Sequence, residues 1–101
     1  MKQETLSISE FRLKIGSLCR LVRQGKAELT VKRYYDDFFK VVVANGENGN
    51  GIDLGLTYAR DNVGDFIQAI EDHGSVTLSS HGRVLAKCVR LDEAITEERA
   101  A

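Results

Sequence analysis

The feature that most constrains this chain is a repeat. Phe11, Ile15, Leu18, Cys19 and Val22 follow one another at helical spacing, and 48 residues later Ala59, Val63, Phe66, Ile67 and Ile70 do the same. Arg12 and Arg60, and Gly16 and Gly64, fall in the same register, while Gly25 matches Gly74 with one residue more. Five apolar positions, an arginine and glycines sharing one register are the mark of an internal duplication. Each copy has about 40 residues, near the lower limit for folding alone without disulfides or metal. Two such copies can bury their helix faces against each other and join their sheets. The expected architecture is therefore one α+β domain with pseudo-two-fold symmetry, a shared antiparallel sheet and both helical segments on one face. Residues 1–43 form the first repeat, 44–53 a linker, and 54–101 the second repeat with a short acidic tail. The linker is assigned from composition, since six of the seven residues from Asn45 to Gly51 are Gly or Asn, which resist regular structure.

Within each copy the expected order is strand, helix, hairpin. A helix is expected from about Ile8 to Gln24, opened by a capping box of Ser7 with Glu10 and closed by Gly25. Gly16 weakens its interior by ~1 kcal/mol relative to Ala, so a kink or two short helices fits as well as one rod. Glu28 to Lys32 and Phe38 to Val43 make a first hairpin, with Tyr34 to Asp37 between them. Ser75 to Ser80 and Arg83 to Val89 make a second, turning at His81-Gly82.

Composition narrows the class further. The 101 residues are 43% hydrophobic and 29% charged, an ordinary globular balance, with no run near the ~18 apolar residues a membrane helix needs. The start, Met1 to Thr5, lacks the pattern of a signal peptide. Cys19 and Cys88 lie inside apolar patterns, which suits a reducing cytoplasm better than a disulfide scaffold. The net charge of −1 is not the footprint of a strong nucleic-acid binder, yet the average hides an asymmetry. Residues 1–43 hold nine Lys/Arg and five Asp/Glu, and residues 44–101 hold five and ten, giving +4 and −5.

Catalytic signatures are lacking. His73 and His81 each sit beside a glycine and suit exposed turns, and both cysteines suit core positions. No metal-ligand spacing, phosphate loop or nucleophile motif is present. Asp36-Asp37 and Asp92-Glu93 are adjacent carboxylates whose side chains diverge, unlike an acid–base pair. No enzyme, cofactor or metal is expected.

Two stretches resemble a known family. Thr57-Tyr58-Ala59-Arg60-Asp61-Asn62-Val63 is similar to the TxARxNL helix start of the Phd/YefM antitoxins. Ser7-Ile8-Ser9-Glu10-Phe11-Arg12 resembles the SxSEFR start of the YefM branch. Val76-Thr77-Leu78, Gly82-Arg83 and Ala86 to Val89 resemble the family's hairpin, so the likeness covers roughly 5–43 and 54–92. It departs in a first hairpin two residues longer, with aromatics and acids where the family has a glycine turn, and in Ser79-Ser80-His81, where the family is commonly basic. Members form dimers that bind operator DNA, repress their own operon, and neutralise a toxin through a C-terminal segment. The resemblance implies such a dimer fused into one chain, a monomer able to associate further. It implies operator contacts from Ser9, Arg12 and Lys14 in the first copy and Thr57, Arg60 and Asn62 in the second.

The physical logic agrees with that expectation. Arg12 and Arg60 are placed in the first turn of equivalent helices, where free backbone N–H groups favour phosphate, and a pseudo-two-fold presents them to two half-sites. Lys2, Lys14, Arg20, Arg23, Lys32 and Arg33 add phosphate contacts, while Asp61 and Asp65 crowd Arg60. A second class competes: a phage- or plasmid-encoded inhibitor that binds a toxin or host defence protein through the same scaffold. The fusion, the acidic second half and the twelve residues after Val89, fewer than a typical toxin-wrapping extension, favour it.

Overall fold

The computed structural model describes residues 2–33, 36–44 and 52–91. Six strands form one mixed sheet in the order β1-β2-β3-β6-β5-β4. The elements run β1 (Lys2–Ser7), α1 (Ile8–Leu13), α2 (Ile15–Arg23), β2 (Ala27–Arg33) and β3 (Asp36–Val42). They continue with β4 (Ile52–Gly55), α3 (Leu56–Asp61), α4 (Val63–His73), β5 (Ser75–Ser80) and β6 (Arg83–Arg90). The order strand, helix, hairpin is thus found in both copies. The sheet is not wholly antiparallel as expected: β1 runs parallel to β2, and β4 parallel to β5. In each case a helical segment joins the two strands and returns the chain to start in the same direction, which a hairpin cannot do. β4 begins at Ile52, so the last two residues of the expected linker belong to a strand. The rest of the linker after Ala44, and the acidic tail with Asp92-Glu93, lie outside the described residues.

Each helical segment is two helices. Ser7 accepts from the Glu10 amide while Glu10 accepts from the Ser7 amide, the capping box read from the sequence. The break falls at Lys14 and at Asn62, both with non-helical dihedrals, two residues before the suspected Gly16. Gly74 caps α4 in the left-handed conformation, and Gly25 follows α2 in the same region.

One face of the sheet is dry. Leu29, Val31, Phe39, Val41, Val76, Leu78, Ala86 and Cys88 are all buried, and Phe11, Ile15, Leu18, Cys19, Val22, Ala59, Phe66 and Ile70 from the helices close over them in a single cluster. Every matched apolar position of the repeat is buried or half-buried. Phe11 stacks on Phe66, ring centroids 6.2 Å apart, and both meet Phe39 edge-on at 5.7 Å, a favourable aromatic geometry.

Strand pairing repeats as faithfully as the helix faces. Leu29↔Val41, Thr30↔Lys40 and Val31↔Phe39 are followed by a bulge at Phe38, then Lys32↔Asp37 and Arg33↔Asp36. Adding 47 to each number gives Val76↔Cys88, Thr77↔Lys87, Leu78↔Ala86, a bulge at Leu85, Ser79↔Val84 and Ser80↔Arg83. Both turns therefore enclose two residues, and the first hairpin is not longer at its tip. The extra two residues of the first copy lie between Gly25 and the equivalent start of β2. At the second turn His81 and Gly82 both have positive φ, 52° and 79°, as a two-residue hairpin of this twist requires. The centre joins β3 to β6, where Lys40↔Val89 and Val42↔Lys87 flank Val41↔Cys88 symmetrically.

Candidate nucleic-acid interface

The six residues singled out from the sequence are all exposed. Ser9 and Arg12 lie on α1, Thr57 and Arg60 on α3, and Lys14 and Asn62 occupy the two helix breaks. They form three matched pairs at a spacing of 48 (Ser9 with Thr57, Arg12 with Arg60, Lys14 with Asn62).

Arg12 and Arg60 are neighbours. The Arg12 guanidinium donates through Nε to the Arg60 carbonyl oxygen at 2.7 Å. The two exposed arginines are thus beside each other on one surface, and one expectation is corrected. Each lies in the last turn of its helix, since the breaks at Lys14 and Asn62 shorten both helices to six residues. Free N–H groups of a helix start do not assist them.

The local electrostatics are permissive. Arg60 donates from Nε to Asp61 Oδ1 at 3.2 Å, with both side chains more than half exposed. Such a pair contributes only ~0–1 kcal/mol and yields readily to a phosphate. Asp65 does not crowd Arg60 by hydrogen bonding to it; it accepts from Tyr58 Oη at 2.7 Å, which raises the Tyr58 pKa. Asn62 turns its amide back onto the Tyr58 carbonyl at 3.2 Å, fixing the break beside Arg60.

Two outlying candidates fall away from this surface. Arg33 is half-buried, pairs with Glu71 on α4, and lies 4.1 Å over the Phe38 ring, so it is committed to holding the first hairpin under α4. Lys32 and Arg33 also face Asp37 and Asp36 across the hairpin, a favourable cross-strand arrangement of charge. His73 and His81 are exposed. Among the described residues no His/Cys/Asp/Glu group could hold a metal ion, and no helix is long and apolar enough to cross a membrane.

Two features escaped the sequence reading. Leu13 is 82% exposed between Arg12 and Lys14, and the signal was there, since it falls out of the apolar register of Phe11, Ile15 and Leu18. Arg20, Arg23 and Gln24 line an open cleft of about 390 Å³ with Leu85 from β6, which no local pattern announces. Comparisons with protein-family models, with curated proteins and with solved structures found no match.

Proposed function

We propose that this chain is a duplex-DNA-binding regulator of the Phd/YefM antitoxin kind, a pseudo-dimer in a single chain that grips its operator through the outer surface of the helix layer. The observation that carries the reading is the Arg12–Arg60 contact, which ties the Arg12 side chain to the backbone of Arg60, 48 residues away, so that two exposed arginines share one surface. Arginine pairs the planar donor fork that suits phosphate with a charge that persists at any physiological pH. Ser9, Thr57, Lys14 and Asn62 surround the pair with further exposed donors. Side chains of this kind supply most contacts to phosphate and sugar. The matched strand registers support the fused-dimer part of the proposal, because the two copies exchange about the Val41↔Cys88 pair.

The test is fluorescence anisotropy of a labelled duplex from the protein's own promoter, comparing wild type with Arg12→Ala and Arg60→Ala at ~50 mM salt, where phosphate contacts are strong. Both variants are expected to bind more weakly, Arg12→Ala the more so, since Arg60 already shares its guanidinium with Asp61. Absence of salt-dependent binding by wild type refutes the proposal.

A second reading has its own observation. A leucine 82% exposed beside the arginine patch is unusual on a surface that meets only nucleic acid, and arginine with an apolar neighbour also suits a protein interface. On that reading the chain is an inhibitor of a toxin or host protein, and co-purification of one partner from nuclease-treated lysate, lost with Leu13→Ser, supports it.

A further inference from the structure

The helix layer is strongly polarised. Residues 8–23 carry four Lys/Arg and one Glu, and residues 56–73 carry one Arg and four Asp/Glu, or +3 against −3. The repeat makes the consequence local, because equivalent clefts lie between the end of the second helix of one copy and the bulge of the other copy's hairpin. In one, Arg33 pairs with Glu71 of α4 and stacks on the Phe38 ring. Gln68 and Asp72 on the same helix satisfy each other at 2.9 Å.

In the other cleft every one of these roles changes. Arg23 stands where Glu71 does, Arg20 where Gln68 does and Gln24 where Asp72 does, and Leu85 replaces Phe38 at the bulge. The arm that would fill it is Ser80 in place of Arg33, too short to cross the gap. The result is an open cleft of about 390 Å³ with two guanidinium groups, one amide and an apolar floor. Among the described residues neither arginine pairs with a carboxylate. Ser17, Arg20, Leu21 and Gln24 form the outward face of α2, opposite Leu18, Cys19 and Val22. Arg23 is nine residues beyond Lys14, about 13 Å at 1.5 Å per residue, within reach of the same duplex.

We propose that the Arg20/Arg23/Gln24 cleft is a phosphate site that seats the backbone of the bound nucleic acid on one side only, so that the footprint is asymmetric despite the repeat. This rests on the DNA-binding reading above and adds to it where the duplex runs: from the Arg12/Arg60 patch along α2, away from the acidic α4. Two arginines lining one cleft can offer guanidinium donors to the oxygens of a phosphodiester, and in the equivalent place Arg33 is paired with the Glu71 carboxylate.

Salt titrations of duplex binding with wild type, Arg20→Ala/Arg23→Ala and Gln68→Ala test this, each variant's urea unfolding curve checking that the fold is intact. Loss of two phosphate contacts lowers the slope of log K against log salt by about 1.8, so between 50 and 200 mM wild type should lose about twelvefold more affinity than the double variant. Gln68→Ala should match wild type. In parallel, ¹⁵N spectra of the arginine Nε–H and Gln24 amide groups are followed on titration with inorganic phosphate alone, and shifts confined to Arg20, Arg23 and Gln24 support a phosphate site. Duplex binding with an unchanged slope in the double variant overturns the inference and leaves the DNA-binding reading standing. Phosphate shifts at these groups without any duplex binding overturn both, and assign the cleft to a free oxyanion. Equal losses from Gln68→Ala and the double variant overturn the one-sided footprint.

Discussion

Phe11→Ala probes whether the two copies form one cooperative unit. The Phe11 ring is 1% exposed, lies edge-on to Phe39 of its own copy and stacks on Phe66 of the other. Its equivalent in the second copy is Ala59 and that of Phe66 is Leu18, so the large rings are concentrated on one side of the core. Removing a fully buried phenylalanine costs ~3–5 kcal/mol when the cavity cannot collapse. A 101-residue chain has about 5–15 kcal/mol in all, so near the lower end of that range the alanine variant keeps only about 0–2 kcal/mol and can be up to half unfolded before any urea is added. Phe11→Leu keeps a readable baseline: it gives up two aromatic pairings at ~0.5–1.5 kcal/mol each, a loss of about 1–3 kcal/mol. With a urea m-value near 1.3 kcal/mol/M, its midpoint falls by about 1–2 M. Circular dichroism at 222 nm across a urea series reads both variants. The expected result is one transition with unchanged slope. Two separated transitions, or a Phe11→Leu midpoint within error of wild type, refute the shared core.

Three further outcomes follow from the same structure. Light scattering on a sizing column should find a folded species at the 11.2 kDa chain mass at low concentration, and a folded species never smaller than a dimer contradicts the fused-dimer proposal. Burial lifts the Cys19 pKa to about 12 and that of Cys88 well above its usual value, so neither thiol should react with a thiol reagent at pH 8 until the chain unfolds. The folded state holds these protons more tightly than the unfolded one, so stability should decline as pH rises above ~9; rapid labelling of the native protein, or stability flat through that range, counts against the packing. Gly82→Ala should cost ~1–2 kcal/mol, a strictly backbone penalty because nothing lies within 4 Å of the added Cβ, and a neutral result in thermal melts argues against the turn.

The repeat was legible because its signal is local. Helix faces at a spacing of 48, the Ser7–Glu10 box and the His81-Gly82 turn each depend on residues a few positions apart, and all stand in the structure. Parallel pairing of β1 with β2 follows from connectivity, but neither strand's side chains encode direction. The candidate site was half legible. Its six residues were named through the resemblance and all are exposed, whereas the meeting of Arg12 with Arg60 depends on how two copies close over one sheet. Arg33 resembled a free basic residue and is instead bound to Glu71, 38 residues away. The Arg20/Arg23 cleft has the same origin: one copy's helix and the other's hairpin bulge build it, and no window of sequence contains both.

The central claim, that one chain binds duplex DNA through a composite Arg12/Arg60 patch, is tested most directly by the salt dependence of binding for wild type and Arg12→Ala. Wild type should give a straight line of log K against log salt with a slope of about −0.9 for each phosphate neutralised, and Arg12→Ala a slope smaller by about 0.9. A wild-type affinity that does not change with salt, or identical slopes for the two proteins, contradicts the account.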